Sequence, residues 1–328
     1  MANISTSYMG LTLSSPIIVG ACSLSKKVDT IKRIEAAGAG ALVIKSLFQE
    51  QIEMEQQVFE DALQVGADHF AESLRYFPDV SHAGPKEHLM WTELARKSVK
   101  MPLIASLNAR TPGTWVAFAK QLESTGVDAL ELNVYAVEAN PDATAADIEK
   151  RLCDIVAGVR AAVRIPITVK LSPFYTAMAN VCKRVTEAGA NGLTLFNRFY
   201  QPDIDIEEEG LAISLEFSGT SETRLPLRWI ALLSDQIKVD FAATTGVHTG
   251  KDVIRHLLAG ADVTQVVSTL YLHNIDYLGI MNHEISDWMD RKGYKSIMDF
   301  KGKVSRVKCP DAYAFERAQY IKLLIGRD

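Results

Sequence analysis

The sequence lacks the signatures of several classes of protein. It has no apolar run of about 18 residues and no basic segment followed by an apolar leader at its start. With a net charge of -5, the sequence also lacks the excess of basic residues that is typical of proteins binding nucleic acid or anionic lipid. We therefore expect a cytoplasmic protein that partners neither membranes nor nucleic acids.

Cysteine is scarce and widely spaced. The four cysteines, Cys22, Cys153, Cys182 and Cys309, form no C-x-x-C pair, which argues against a zinc site, an iron–sulfur site or a disulfide framework. Cys153 and Cys182 fall within helical patterns, where a free cysteine usually acts as a small buried hydrophobe. Cys22 differs because it follows an apolar segment typical of a strand. No metal site is predicted.

A repeated pattern predicts joints between a helix and a following strand. In each repeat a glycine, suited to the left-handed residue after a helix, precedes a short apolar run. The four repeats begin at Gly38, Gly126, Gly189 and Gly260. Four more apolar strands are predicted to begin at Pro16, Pro102, Pro166 and Asp240. Helical periodicity covers 27–37, 88–100, 112–125, 145–162, 177–188, 226–238, 251–259 and 275–292.

Eight apolar strands alternating with eight amphipathic helices predict an α/β fold, a (β/α)8 TIM barrel forming one domain over 1–328. An open doubly wound sheet is the alternative, but the first strand is not followed by G-x-G-x-x-G. Long insertions at about 46–87 and 198–225 follow strands two and six and are predicted to overhang the mouth as lids. The second contains an acidic run, predicted to be solvated surface. A C-terminal helical extension over about 293–328 would cap the barrel or meet another subunit.

Polar residues follow the predicted strands, at the end of a barrel where active sites lie. Lys45 and Lys170 each end a buried apolar run, where a lysine is costly unless a partner compensates its charge. Outward snorkelling is the alternative for either lysine, but two together favour an anionic ligand. Asn108, Asn133 and Asn197 offer amide donors and acceptors suited to a ring of alternating carbonyl and N–H groups, or else they satisfy loop backbone.

A phosphate site is predicted after strands seven and eight. The segment from Thr245 to Gly250 carries glycines and hydroxyls, and Ser268 and Thr269 end strand eight. These two loops commonly bind phosphate in TIM barrels. His248 lies in the first of them, and we expect it to be structural or adjacent to the phosphate rather than catalytic.

Taken together, these motifs resemble those of the class 1 dihydroorotate dehydrogenase family over about residues 7–305. The most specific segments are Gly10-Leu-Thr-Leu-Ser-Ser-Pro-Ile-Ile-Val-Gly-Ala, Ala41-Leu-Val-Ile-Lys45-Ser46, Asp128-Ala-Leu-Glu-Leu-Asn133, Ile167-Thr-Val-Lys170-Leu-Ser-Pro, Thr245-Gly246-Val-His-Thr-Gly250-Lys-Asp252 and Gly293-Tyr-Lys-Ser-Ile-Met-Asp-Phe-Lys-Gly302. The resemblance implies an FMN-dependent oxidoreductase of the pyrimidine biosynthesis type. Such enzymes move a hydride from dihydroorotate, or a related cyclic amide, to flavin N5.

The resemblance also implies roles for individual residues. The cofactor contacts it implies, together with those predicted at the strand ends, are Ala21, Cys22, Ser23, Lys45, Ser46, Asn108, Asn133, Lys170, Gly246, Ser268 and Thr269. The substrate contacts are Lys45, Asn133, Asn140 and Asn197, and Lys45 and Asn133 would take part in catalysis. A small soluble oxidant such as fumarate and a homodimeric assembly are implied as well.

One departure from the family pattern concerns the catalytic base. The family has roughly N-x-S-C-P-N after strand four, with the cysteine as base, whereas this chain places Ala136 there. Tyr135 is the nearby substitute, although a phenol with a pKa of about 10 is a poor base at neutral pH. In the loop after strand two the family's N-S-x-G-L-P-N is missing, and His69 and Arg75 occupy that region. Arg198 follows Asn197 where serine is expected. We therefore predict an intact FMN site beside an altered substrate site.

Two other functions remain open from the sequence. A Schiff-base aldolase on the same barrel would use Lys170 as its nucleophilic amine. A catalytically silent homologue would hold flavin after losing the base.

Overall fold

The structure, a computed structural model, describes residues 2–49, 85–109, 111–134, 137–212 and 216–317. Within these ranges eight parallel strands close into a barrel, each paired with the next and the last with the first. They are β3 (Ile17–Val19), β4 (Ala41–Phe48), β5 (Leu103–Asn108), β6 (Ala129–Leu132), β7 (Ile167–Leu171), β8 (Gly192–Leu195), β11 (Asp240–Thr244) and β12 (Val263–Val266). The predicted (β/α)8 barrel is confirmed, and the open sheet is excluded.

Helices connect the strands on the outside of the barrel. They are α1 (Val28–Ala36), α2 (Pro85–Ser98), α3 (Pro112–Ser124), α4 (Ala145–Ala162), α5 (Met178–Glu187), α6 (Arg224–Leu233), α7 (Gly250–Ala259), α8 (Ser268–Leu272) and α9 (Tyr277–Lys292). The short α8 was not predicted. Side-chain caps begin several of them: Thr111 and Thr144 accept backbone N–H groups of α3 and α4, and Thr249 forms a capping box with Asp252. None of the described helices is both long and apolar enough to cross a membrane.

Strand alternation divides the core into two layers. Residues such as Leu42, Leu103 and Leu130 point outward and pack with the helices. Their neighbours on the same strands, including Ala41 and Ile104, fill the lower interior of the barrel. Towards the mouth the interior becomes polar. This change of polarity along the barrel axis places the functional groups at the carboxyl ends of the strands.

An N-terminal hairpin closes the other end of the barrel, and the sequence did not predict it. Its strands are β1 (Thr6–Tyr8) and β2 (Leu11–Leu13), which pair antiparallel. Tyr8 is fully buried in the lower interior, and its hydroxyl lies 2.8 Å from Thr168 Oγ1. The backbone N–H of Met9 donates to Asp240 Oδ2 at 2.6 Å. Burial raises the pKa of the Tyr8 phenol, which therefore stays neutral at physiological pH.

Parts of the two insertions are described. The predicted first lid falls largely on 50–84, which lie outside the described residues, as do His69 and Arg75. In the second insertion the acidic run forms a small hairpin of β9 (Asp203–Asp205) and β10 (Gly210–Ala212). Its acidic side chains are exposed, as predicted for a solvated surface.

Over residues 293–317 the C-terminal extension packs against helices of its own barrel. It consists there of turns and two 3-10 segments, Ile297–Asp299 and Ala312–Ala314. Backbone N–H groups of Gly302 and Arg306 donate to Leu257 O at 2.9 Å and Ala231 O at 2.8 Å, which ties the extension to α7 and α6. Residues 318–328, which hold the rest of the amphipathic stretch from Tyr313 to Leu324, lie outside the described residues.

Candidate active site

Hydroxyl and amide groups form a connected cluster at the ends of β4, β5 and β6. Ser46 Oγ and Ser106 Oγ are 2.7 Å apart, and Asn133 Nδ2 donates to Ser106 Oγ at 2.6 Å and to Ser46 Oγ at 3.3 Å. Asn108 Nδ2 donates to the backbone oxygen of Asn133 at 2.9 Å. The amide of Asn133 is therefore held in one orientation. Its Oδ1 is buried without a hydrogen-bond partner among the described residues, so an acceptor is available for a ligand N–H.

The second lysine predicted at the mouth has a buried carboxylate beneath it. Lys170 Nζ lies 3.8 Å from Glu131 Oε1, and Glu131 is completely inaccessible to solvent. Gln265 Nε2 donates to Glu131 Oε2 at 2.5 Å across the barrel interior. Lys170 thus points into the barrel, and the snorkelling alternative is wrong because Glu131 draws the ammonium inward.

The first lysine lies beside the end of β3. The backbone N–H of Lys45 donates to Ser25 Oγ at 2.8 Å, and Ser25 Oγ donates to the backbone oxygen of Cys22 at 2.9 Å. Burial is the main cause of a raised pKa for the Cys22 thiol, which keeps it neutral and a poor nucleophile. Ser23 Oγ lies 2.5 Å from the Tyr271 hydroxyl of α8. Ala21 is partly buried against the lower interior core. These contacts fix the segment 21–25 against the mouth.

A backbone cradle lies where the phosphate site is predicted. The N–H of Gly246 donates to Ser218 Oγ at 3.1 Å, and Ser218 Oγ is 3.0 Å from Ser268 Oγ. Gly246 has a φ of 74°, and a Cβ on it would lie 2.5 Å from the backbone oxygen of Gly219. Only glycine fits here, because the segment from Gly219 to Thr223 packs directly against the backbone of Gly246.

The remaining residues of this region are engaged within the protein. Thr269 is buried and its hydroxyl donates to the backbone oxygen of His248 at 3.1 Å. The ring Nε2 of His248 lies 2.6 Å from the backbone oxygen of Ser218. His248 thereby holds the segment that carries Ser218, which agrees with its predicted structural place beside the cradle.

The predicted substrate residues are less closely grouped. Asn197 follows β8, and its backbone N–H donates to Leu171 O at 2.8 Å at the end of β7. Asn140 is exposed, and its Oδ1 accepts the backbone N–H of Asp142 at 3.0 Å in a local turn. Its assignment to the substrate stays a prediction. Tyr135 and Ala136 lie outside the described residues.

A cavity of about 810 Å³ lies on the α3 and α4 side of the mouth. Asn108 and Ser172 line it together with the aromatic residues Trp115, Phe174 and Tyr175. Burial raises the pKa of the Tyr175 phenol to about 12, so it is neutral at physiological pH. The mouth thus has room beside it for a ligand larger than a single small ring.

Sequence reasoning missed three residues of this arrangement. Glu131 and Gln265 stand at inward positions of apolar strands, which is the same signal that identified the two lysines. Ser218 lies near the end of a long insertion without periodicity, and nothing in the sequence marked it. Among the described residues, no group of three His, Cys, Asp or Glu side chains is placed to hold a metal ion.

Comparison with known proteins agrees with this geometry. The model of the family "Dihydroorotate dehydrogenase" matches residues 66–289, more than half of the chain. The chain belongs to the dihydroorotate dehydrogenase family. The predicted family is confirmed, and so is the enzyme class, since these homologues are flavin-dependent oxidoreductases acting on CH–CH bonds.

Individual relatives cover most of the chain. A dihydroorotate dehydrogenase B (NAD(+)) catalytic subunit from Methanocella arvoryzae is 29% identical over 87% of this chain and 93% of its own length. The corresponding subunit of Thermoplasma volcanium is 24% identical over 92% of this chain and 98% of its own length. A putative dihydroorotate dehydrogenase A (fumarate) from Aeropyrum pernix is 24% identical, also over 92% and 98%.

Proposed function

We propose that this family member is an FMN-dependent dehydrogenase whose flavin lies across the mouth of the barrel. The observation that carries the proposal is the combination, in one mouth, of an inward lysine with a cradle that has no room for a side chain. Lys170 supplies a positive charge at one side of the mouth, and Gly246 with Ser218 and Ser268 supplies a group of backbone and hydroxyl donors at another. A flavin mononucleotide needs both, since its reduced ring and its phosphate are each anionic.

The residues present fit this cofactor. Ser218, Ser268 and the backbone of Gly246 would hold the phosphate, because hydroxyl and N–H donors suit its oxygens. The unpartnered Oδ1 of Asn133 would accept an N–H from the ring system. Ala21, Cys22 and Ser23 would line the ring from β3. Lys45, Ser46, Asn108 and Thr269 complete the proposed set.

The bound flavin would supply a hydride acceptor for oxidation of a CH–CH bond. Lys170 would favour its reduced form by placing a cation beside the developing negative charge. Lys45, Asn133 and Asn197 would orient the substrate by hydrogen bonds. The substrate would be dihydroorotate or a related cyclic amide, and the cavity beside Asn108 leaves room for a substituted ring.

The group that takes the substrate proton differs from that of the family pattern. Tyr135 remains the proposed substitute, and His69 is a second candidate. His88 is a third candidate, because its Nε2 is buried and has no hydrogen-bond partner among the described residues. Burial, and then the charge of Lys45, lower its pKa to about 4, which makes it a weak base at pH 7.

Flavin binding is the first expected result. We expect the purified protein to be yellow, or the apoprotein to bind added FMN with quenching of flavin fluorescence. Lys170→Met should weaken this binding by at least about tenfold, because it removes one charge-assisted contact of about 1.4 kcal/mol and also leaves the buried Glu131 without its counter-charge. Exchange of an exposed lysine of α5, Lys183→Met, is the matched control and should change nothing. Absence of any flavin binding would refute the proposed function.

Reduction by dihydroorotate is the second expected result. Because the cysteine base is replaced, we expect anaerobic bleaching of the flavin by dihydroorotate to be slow or absent, while dithionite bleaches it fully. The loss of a general base typically costs about 100-fold or more in rate. Rapid bleaching would instead show that another group is the base. Tyr135→Phe, His69→Ala and His88→Gln would then locate it by which variant abolishes the reaction.

The alternatives predict different outcomes. A Schiff-base aldolase would use the Lys170 amine as a free nucleophile, whereas in the structure this amine lies 3.8 Å from the buried Glu131 carboxylate. Borohydride trapping of a keto substrate on Lys170 would support it. A silent homologue would hold FMN tightly and stay oxidised with every donor.

The electron acceptor and the assembly also belong to the proposal. The relatives' names refer to NAD(+) in some proteins and fumarate in another. For this chain we propose a small soluble oxidant, with fumarate as the first to test, and a homodimer in the cytoplasm. Stopped-flow reoxidation of the reduced flavin by fumarate tests the electron acceptor, and sedimentation velocity tests the homodimer.

A further inference from the structure

The cation of the mouth lies above a carboxylate that sequence reasoning overlooked. Glu131 is on β6 and pairs in register with Thr168 of β7, so that Lys170 is the next inward residue of β7 towards the mouth. The carboxylate lies in the interior with no solvent exposure, and the lysine side chain is only 13% exposed. A buried carboxylate is costly without a counter-charge, and Lys170 Nζ, at 3.8 Å, supplies it.

The carboxylate is itself fixed from the opposite wall. Gln265 is on β12, which is not a neighbour of β6, and its Nε2 donates to Glu131 Oε2 at 2.5 Å. The other oxygen, Oε1, is buried and has no hydrogen-bond partner among the described residues. Oε1 is the oxygen nearest the ammonium of Lys170. One side of the carboxylate is therefore anchored, and the other side holds the lysine by charge alone.

This arrangement is more than an element of stability. Buried ion pairs are often no more stabilising than apolar residues of the same volume, because desolvation offsets the attraction. Apolar side chains fill the same interior one level lower, at Ala129 and Ile104. A carboxylate one inward position above Ala129 fixes where the Lys170 charge lies. It thereby also sets the electrostatic potential of this lysine at the mouth.

We infer that Glu131 is a positioning residue, which holds the Lys170 ammonium at the mouth and through it sets how readily the bound flavin is reduced. The first half of this inference, that Glu131 positions Lys170, concerns the protein alone. The second half, that it sets how readily flavin is reduced, rests on the proposed function. Glu131 draws the ammonium of Lys170 inward, so without this charge the ammonium can approach the flavin more closely, which makes the anionic reduced flavin more favourable.

The test replaces the charge while keeping the shape. Glu131→Gln retains an oxygen that accepts from Gln265 and removes the negative charge. We expect the midpoint potential of bound FMN to rise by about 30 mV or more, which is a tenfold change in the two-electron equilibrium. In a Lys170→Met background at saturating FMN, the same substitution should have much less effect, because the charge through which Glu131 acts is gone.

A readout without flavin tests the first half separately. In the apoprotein, competitive acetylation followed by mass spectrometry reports the reactivity of Lys170 relative to the exposed Lys183. We expect Glu131→Gln to raise the labelling of Lys170 at least about threefold, because the lysine side chain, only 13% exposed in the wild type, is then no longer held against the buried carboxylate. Leu13→Val is the matched control: Leu13 is also fully buried in the barrel interior, but it is on β2 of the hairpin at the other end of the barrel, away from the ion pair. It should lower the Tm but change neither the labelling nor the potential.

The outcomes separate the possibilities. Unchanged labelling and unchanged potential in Glu131→Gln would overturn the inference, and so would equal shifts in Leu13→Val, which would show a merely structural effect. If Glu131→Gln does not fold, Glu131→Asp draws the carboxylate back from Lys170 and should give smaller shifts in the same direction. If the wild-type protein binds no FMN, the proposed function fails, and the labelling alone decides whether Glu131 positions Lys170.

Discussion

Gly246→Ala should abolish tight FMN binding. The new Cβ would lie 2.5 Å from the backbone oxygen of Gly219 and 2.9 Å from the backbone nitrogen of Thr223, so one of these backbone segments must move. The positive φ of 74° adds a further cost of about 1–2 kcal/mol for any residue with a Cβ. If the Gly246 backbone and the Ser218 hydroxyl are both displaced from the phosphate, each lost contact costs about 1.5–3 kcal/mol. A titration by flavin fluorescence should show an affinity at least about 100-fold lower.

Two further variants make this result specific. Gly113, in the first turn of α3, has no atom within 4 Å of a hypothetical Cβ, so Gly113→Ala should bind FMN as the wild type does. Ser218→Ala removes one hydroxyl of the cradle without a clash and should cost about tenfold. Circular dichroism of each apoprotein checks that the barrel is folded. Wild-type affinity in Gly246→Ala would place the phosphate elsewhere.

Tyr8→Ala should destabilise the whole barrel. Tyr8 is fully buried where the N-terminal hairpin closes the interior, and truncating a buried aromatic side chain costs about 3–5 kcal/mol. A loss of this size is a large part of the stability of an ordinary domain. We expect the free energy of unfolding in urea at pH 7 to fall by that amount, with apolar dye binding appearing at lower temperature.

The conservative variant separates packing from hydrogen bonding. Tyr8→Phe keeps the ring and removes only the hydroxyl at 2.8 Å from Thr168 Oγ1. Thr168 keeps a partner in Thr194, 3.1 Å away, so the cost should be only about 1 kcal/mol. An alanine variant as stable as the phenylalanine variant would mean that the hairpin does not belong to the cooperative core.

Much of the barrel could be predicted because its signals are local. The runs after Gly38, Gly126, Gly189 and Gly260 show helix end, left-handed glycine and strand within a few residues. The hairpin carries no such signal: its strands have three residues each, and Tyr8 bonds with a residue 160 positions away. Short strands that gain their stability from distant partners cannot be recognised by periodicity.

The candidate site was predictable to the extent that its residues break an apolar pattern. Lys45 and Lys170 interrupt their apolar strands, and Glu131 interrupts its strand in the same way, between Leu130 and Leu132. The role of Glu131, however, depends on Gln265 from the opposite wall of the barrel. Asn140 illustrates the limit of matching a motif by spacing. Its side chain serves a local turn with Asp142, because a short amide near a helix start satisfies backbone groups readily.

The sequence by itself determined the alternation of strands and helices, and with it the end of the barrel at which lysines and asparagines gather. Only the tertiary structure decided what those groups do to one another. Barrel closure brings β12 opposite β6 and so joins Gln265 to Glu131 beneath Lys170, and it brings Ser218 to Gly246. The physical reason is that backbone periodicity is encoded within a few residues, whereas the partner of a buried charge is selected by the closed sheet.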